Sequence, residues 1–203
     1  MYDEVKYPFA KEFRNAHLSK IEQPDDVIEK LKNWTTNPKN LLYFAGSVGC
    51  GKTYFSAAFY NYLKEKHEEL SKKAWEERKD GTINPPRWDY RYFTEYGLFS
   101  NLRGHINQGH DWEACLERIC ENTFLILDDM GASRLSEWQI DVLHTLIDLR
   151  VSNLQPTLIT SNIFTKDLNN HFHPRVKSRI CAARNLVIEL DGEDKRQHVE
   201  NKL

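Results

Sequence analysis

The feature that most constrains this chain is a glycine-rich run that lies between an apolar segment and a helical one. The run matches the pattern G-x-x-x-x-G-K-[ST] at every fixed position, which is the phosphate-binding loop, or P-loop. Glycines let successive backbone N–H groups face phosphate oxygens at positions where a Cβ would clash. The pattern therefore predicts a nucleotide-binding loop. Its residues are Gly46, Ser47, Val48, Gly49, Cys50, Gly51, Lys52 and Thr53.

Two side chains of the loop have predicted chemical roles, and the flanking sequence supports them. Lys52 brings a positive charge to the β- and γ-phosphates, and the Thr53 hydroxyl is placed to ligate Mg²⁺. The apolar run 41–45 before the loop suits a buried parallel strand. The helix expected after it adds its N-terminal dipole to the same anion site.

A second motif places two carboxylates after an apolar run. Residues 124–127 are apolar, and Asp128 and Asp129 follow them directly. A buried strand that ends in an acid is the Walker B arrangement, in which Asp128 holds Mg²⁺ and Asp129 polarises the attacking water. The alternative interpretation is an Asp-Asp turn that only caps the next helix.

Further polar residues follow the next strand. Asn162 ends the run Thr160-Ser161-Asn162, from which an amide can reach the γ-phosphate or the water. Arg175 and Arg179 are four residues apart on a predicted helix and therefore share a face. Arg179, with Arg175 and Arg196 as further candidates, can supply an arginine to a neighbour's γ-phosphate. The alternative is an exposed basic surface.

Strands and helices alternate along the chain. Strands are predicted over 41–45, 90–93, 124–127, 157–160 and 186–190, with helices between them. This alternation predicts an α/β fold with a parallel sheet covered on both faces. The strongest amphipathic helix, 136–151, carries Ile140, Leu143, Ile147 and Val151 on one stripe. We divide the chain into a lead-in, 1–35, whose Phe9, Phe13, Leu18 and Ile21 are expected to pack on the main domain, 36–203.

Composition narrows the function classes. The net charge of −2 among 203 residues gives no global positive field, so any DNA contact requires a local basic patch. The 4 cysteines show no C-x-x-C pair and no zinc spacing, which favours reduced thiols in the cytoplasm. No stretch approaches 18 apolar residues and the N-terminus has no apolar signal region, so we expect neither secretion nor membrane insertion.

Together these segments resemble the AAA+ ATPases, and within them the replicative helicase loaders of the DnaC/DnaI type, with the IstB-like transposition ATPases close by. The resemblance extends over roughly residues 10 to 198. The segments that carry it are 13–16, the P-loop, 128–131, 156–162, 178–180 and 192–196.

The resemblance implies an AAA+ P-loop NTPase with a five-stranded sheet in the order 5-1-4-3-2 and without a full helical lid. It implies ATP bound between subunits, with Asn162 as sensor 1, Arg179 as the arginine finger and Arg196 as a sensor 2-like residue. Arg150 stands where loaders often carry an arginine. Hydrolysis is expected to be slow, because Asp129 is one methylene shorter than the glutamate of many relatives.

The implied partners are a hexameric replicative helicase, single-stranded DNA and further copies of the chain. In the loaders, the segment that corresponds to 95–120 helps to contact DNA. Arg103 and His105 are candidates there, whereas we expect Phe99 and Trp112 to pack in the core. Three alternatives stay open: an IstB-like ATPase that assists a transposase, a nucleotide switch without hydrolysis, and a small P-loop kinase.

Overall fold

A computed structural model of the protein describes residues 8–36, 40–76 and 89–190. Five parallel strands form one sheet in the order β2-β3-β4-β1-β5. Read from the other edge, this is the predicted order 5-1-4-3-2, which is confirmed. Arg196 lies outside the described residues. The strands are β1 (Leu41–Gly46), β2 (Tyr90–Thr94), β3 (Phe124–Met130), β4 (Thr157–Ser161) and β5 (Leu186–Leu190).

Helices cover both faces of the sheet, as predicted. They are α1 (Asp25–Thr36), α2 (Lys52–Glu76), α3 (Glu95–Asn107), α4 (Trp112–Cys120), α5 (Glu137–Ser152), α6 (Leu168–His171) and α7 (Pro174–Ile180), with 3₁₀ turns at Lys11–Asn15, Leu18–Lys20 and Thr165–Asp167. Every residue of β1 and β4 is buried because these two central strands have a helical layer on each side.

Two core layers flank the sheet, and side chains alternate between them along each strand. Tyr43 of β1 faces the layer that contains α3, α4, α5 and α7, whereas Phe44 faces the layer that contains α1 and α2. The lead-in joins the second layer: Phe9 is buried there, with its ring centroid 4.1 Å from that of Tyr92. Phe13, Leu18 and Ile21 pack against the same layer, as expected.

Helix α5 differs from its predicted stripe. The helix begins after a capping box formed by Ser136 and Gln139. Leu143, Ile147 and Val151 of the predicted stripe are buried, whereas Ile140 is half-buried. The buried face is wider than the predicted stripe. Its members are Val142, Leu143, Leu146, Ile147, Arg150 and Val151.

The cysteines are free thiols: Cys50, Cys115 and Cys120 are buried, and Cys181 is exposed. Burial raises the pKa of the Cys120 thiol to about 11, which keeps it protonated at neutral pH. Within residues 8–36, 40–76 and 89–190, no helix combines the length and the apolar character needed to span a bilayer.

Candidate nucleotide-binding site

The predicted site residues converge at the carboxyl ends of the central strands. Strand β1 runs directly into the P-loop, and β4 pairs with β1 on one side and with β3 on the other. Because the strands are parallel, Asp128 and Asp129 of β3 and Asn162 after β4 meet at the same sheet edge as the loop. This edge is where α/β sheets bind ligands.

The loop has the backbone geometry that phosphate binding requires. Gly49 and Gly51 have φ angles of 79° and 100°, which residues with a Cβ atom rarely adopt. A Cβ at Gly46 would lie 2.5 Å from Cys50 Sγ and 2.7 Å from the Leu190 carbonyl oxygen, so only glycine fits there. Val48, at the tip, is 55% exposed.

The Lys52 ammonium is held inside the loop. Its Nζ donates hydrogen bonds to the carbonyl oxygens of Gly46 (2.8 Å) and Ser47 (2.9 Å), and the side chain is buried. Gln23, from the segment before α1, fixes the loop from outside by donating to the Cys50 carbonyl at 2.7 Å. The positive charge is therefore in place before an anion arrives, and Gln23 is a contact that no sequence motif marks.

Asp128 is buried and its carboxylate accepts three hydroxyl hydrogen bonds. Oδ1 accepts from Ser56 Oγ (2.8 Å) and Thr160 Oγ1 (2.6 Å), and Oδ2 accepts from the Tyr92 hydroxyl (3.2 Å). Burial, and next the adjacent Asp128 charge, raise the pKa of Tyr92, so its hydroxyl stays protonated and able to donate.

The surroundings of Asp128 fit a magnesium ion. Ser56 lies three residues after Thr53 on α2, so the two side chains share a helix face. The bond between Ser56 and Asp128 therefore turns the carboxylate toward the face of α2 that carries the Thr53 hydroxyl. A carboxylate and a hydroxyl oxygen are ligands that Mg²⁺ takes readily.

Asp129 leaves the sheet at a bulge. The register of β3 against β4 shifts between Leu127 and Met130, and Asp129 has a φ of 57°. Its backbone N–H donates to Thr160 Oγ1 at 3.0 Å, and its exposed carboxylate accepts from Asn162 Nδ2 at 3.1 Å. The bulge thus presents the Asp129 carboxylate to solvent, beside the Asn162 amide, where it can polarise a water molecule.

Side chains from the end of β4 replace the backbone pairing that the bulge interrupts. Thr160 bonds both acids, Asn162 bonds Asp129, and Ser161 Oγ donates to the Met130 carbonyl at 2.6 Å. The run Thr160 to Asn162 is therefore a structural support for the acid pair. Sequence reasoning assigned a role only to its last residue.

The predicted finger lies on α7 and is engaged within its own chain. Arg179 Nε lies 2.5 Å from Asp148 Oδ1 of α5, and the two side chains are 42% and 36% exposed. Arg175, one turn earlier, is exposed. Because α7 is short and packs against α5, the Arg179 guanidinium lies at the surface of the chain.

The α3–α4 region contains both core and surface aromatics. Phe99 is buried and Trp112 is partly buried against the same core, so both pack as predicted. Arg103 is exposed, with its guanidinium carbon 5.7 Å from the centre of the Trp138 ring. His105 is half-buried, and its ring is 5.8 Å from that of His110.

Arg150 has a structural position at the opposite end of the sheet. It is fully buried, and its guanidinium donates to Thr157 Oγ1 and to four backbone carbonyls that precede β3 and β4. Burial lowers the pKa of Arg150 to about 10. The side chain therefore ties together the amino ends of the two strands that carry the acids and Asn162. The carbonyls belong to Cys120, Asn122, Thr123 and Pro156.

Comparisons with known proteins show chains and structures that are similar to this one. The chain is 28% identical to the replicative helicase loader DnaI of Bacillus subtilis (strain 168), over 88% of this chain and 55% of DnaI. The crystal structure of the DnaC helicase loader superposes with a TM-score of 0.67 and 26% identity, covering 89% of this chain and 99% of that one. The predicted resemblance to loaders of the DnaC/DnaI type is therefore confirmed.

A more distant structure shares the fold. The replication initiator DnaA, bound to AMPPCP and single-stranded DNA, superposes with a TM-score of 0.68 and 16% identity, over 91% of this chain and 54% of that one. The chain spans 55% of the length of DnaI and 62% of the length of a second curated relative. No family model matches the chain.

Proposed function

We propose that this chain binds ATP with Mg²⁺, hydrolyses the ATP slowly and loads a replicative helicase during DNA replication. The observation that carries the first two steps is the convergence of Lys52, Asp128, Asp129 and Asn162 at one sheet edge. The identities to DnaI and DnaC support the third step.

Each residue has a role that follows from its contacts. The Lys52 ammonium, now bonded to two loop carbonyls, exchanges at least one of them for a phosphate oxygen of ATP. Thr53 and Asp128 hold Mg²⁺, which when bound neutralises charge on the phosphate oxygens. Asp129 accepts a hydrogen bond from the attacking water, and Asn162 orients the Asp129 carboxylate.

Assembly completes the site in this proposal. The Nε atom of Arg179 faces Asp148, and the end of the guanidinium fork is then left to reach the γ-phosphate bound to a neighbouring copy. Such fingers contribute roughly 10³–10⁵ in rate where they have been measured. ATP would favour association of the copies, and hydrolysis would loosen it.

Two measurements test the ATPase. Titration calorimetry should show Mg²⁺-dependent uptake of ATP that Lys52→Ala abolishes and Lys64→Ala, an exposed change on the same helix, preserves. A mixture of Lys52→Ala and Arg179→Ala subunits should recover part of the hydrolysis that each lacks alone. If hydrolysis recovers only when Arg175→Ala replaces Arg179→Ala in the mixture, the finger is Arg175 and not Arg179. If it recovers in neither mixture, action between subunits is contradicted.

The helicase partnership needs a separate test. We expect the chain with ATP to co-elute with a hexameric replicative helicase, and Lys52→Ala to reduce that association. Capture of a transposase instead of the helicase would favour the IstB-like alternative. ATP binding without phosphate release, with and without single-stranded DNA, would favour the nucleotide switch.

A further inference from the structure

Glu95 is a buried carboxylate whose hydrogen bonds reach the loop after the acid pair. It is the first residue of α3 and only 5% exposed. Its Oε2 accepts from the Gly131 N–H at 2.5 Å, and its Oε1 accepts from the Ser133 N–H at 3.2 Å and from the Ser133 hydroxyl. We call residues 131–133 the post-β3 loop. Glu95 thus connects α3 to a loop that begins two residues after Asp129.

The opposite side of the post-β3 loop is closely packed. Gly131 has a φ of 83°, and a Cβ there would overlap the side chain of Ile163. Ile163 directly follows Asn162, the residue that bonds Asp129. The loop is therefore confined between α3 and the end of β4, and Glu95 is the α3 side chain that bonds it.

A groove that begins beside Glu95 lies between α3, Ser133 and Gln139 of α5. Tyr96 is 82% exposed, and Ser100, Arg103 and Asn107 follow it along α3. Ser133 also lines this groove, so one residue contacts both the groove and the Glu95 carboxylate. An exposed tyrosine with an arginine two turns away suits base stacking and phosphate contact with a single strand.

We propose that Glu95 is a positioning residue that couples single-stranded DNA in this groove to the Asp129 carboxylate. DNA seated against Tyr96 and Arg103 shifts α3, and Glu95 carries the shift to the post-β3 loop. The rate of ATP hydrolysis then depends on whether DNA is bound. This inference rests on the proposed function, because it requires both ATP turnover and a bound strand.

The experiment compares four proteins: the wild type, Glu95→Ala, Glu95→Gln and Glu113→Ala. Glu113 is an exposed glutamate in the first turn of α4 and serves as the matched control. Binding of a fluorescent oligothymidylate is followed by anisotropy, and ATP turnover is measured with and without the oligonucleotide. In the wild type and in Glu113→Ala, DNA should change turnover by about threefold or more.

The expected signature is a loss of coupling without a loss of binding. Glu95→Ala should bind the oligonucleotide and Mg·ATP within about twofold of the wild type, because the Glu95 carboxylate is bonded to Gly131 and Ser133 and the substitution keeps Tyr96, Arg103 and the P-loop. Its turnover should become the same with and without DNA. In Glu95→Gln, the change of turnover caused by DNA should lie between those of the wild type and Glu95→Ala. The reason is that an amide retains one acceptor oxygen but introduces N–H donors that face the loop. A Glu95→Ala protein that keeps the wild-type ratio would overturn the proposal.

Hydrogen exchange separates this inference from the proposed function. In unliganded Glu95→Ala, the Gly131 and Ser133 amides should exchange about tenfold faster than in the wild type, because they lose their acceptor. Unchanged exchange would refute the positioning role even in an active ATPase. If the wild type binds the oligonucleotide but its ATP turnover does not change, the coupling is refuted and ATP hydrolysis still stands. Failure to bind the oligonucleotide would refute the coupling and leave the proposed ATP hydrolysis standing.

Discussion

Arg150→Lys is expected to destabilise the protein strongly although it preserves the charge. Arg150 is fully buried, and its five N–H donors match the five hydrogen bonds that it makes. Burial lowers the pKa of this guanidinium to about 10, because removal from water makes the charged form costly in the native state. The hydrogen bonds offset that cost.

The magnitude follows from the number of donors. A lysine has three N–H donors, so at least two of the five acceptors lose their partner while the burial cost of the charge remains. Each hydrogen bond to a charged group contributes about 1.5–3 kcal/mol. We therefore expect Arg150→Lys to lower the free energy of unfolding by about 3 kcal/mol or more, a large fraction of the stability of a typical domain.

Urea unfolding, followed by circular dichroism and by tryptophan fluorescence, measures this loss. The matched control is Arg118→Lys, an exposed arginine on the neighbouring helix α4, which should stay within about 0.5 kcal/mol of the wild type. ATP affinity should not change while the variant is folded, because Arg150 contacts the amino ends of the strands. An Arg150→Lys protein as stable as the control would refute the reasoning.

Three further perturbations test the site and the lead-in. Thr160→Val removes the hydroxyl that supports both Asp128 and Asp129, so turnover should fall about tenfold or more while Thr160→Ser stays close to the wild type in a phosphate-release assay. Tyr92→Phe frees Oδ2 of Asp128, so the Mg²⁺ concentration that half-saturates the ATPase should fall; a rise would show that the phenol assists the metal. Phe9→Ala should lower the free energy of unfolding by about 3 kcal/mol in urea titrations, and a loss below about 1 kcal/mol would contradict docking of the lead-in on Tyr92.

Local patterns were sufficient to predict the five strands and, to within one residue at each end, the bounds of helix α5. Strand β1 is a run of buried apolar residues followed by a glycine turn, and both signals lie within a few residues of each other. Strand β3 extends three residues beyond its predicted end, to Met130, because pairing with β4 resumes after the bulge. The sheet order came from the family resemblance, since alternation of strands and helices alone does not specify it.

Buried polar residues were the main omission. Arg150 lies on an otherwise apolar helix face, and its acceptors come from the ends of two strands. An acidic first residue such as Glu95 is ordinarily interpreted as a solvent-exposed partner of the helix dipole. Its actual partners are 36 and 38 residues away in sequence. Contacts of this kind depend on the assembled sheet, which periodicity and propensity do not describe.

These omissions share a physical cause in strand β3. Its amino end is tied by Arg150, and its carboxyl end is tied by Thr160, Ser161 and Glu95. A strand that keeps regular pairing to its end has its backbone groups satisfied by its neighbours, but then its side chains alternate between the two faces of the sheet. Turning Asp129 out of the sheet requires the bulge, and the bulge leaves backbone groups that other residues must bond. The polar side chains around β3 are therefore the structural condition under which the acid pair can face a nucleotide.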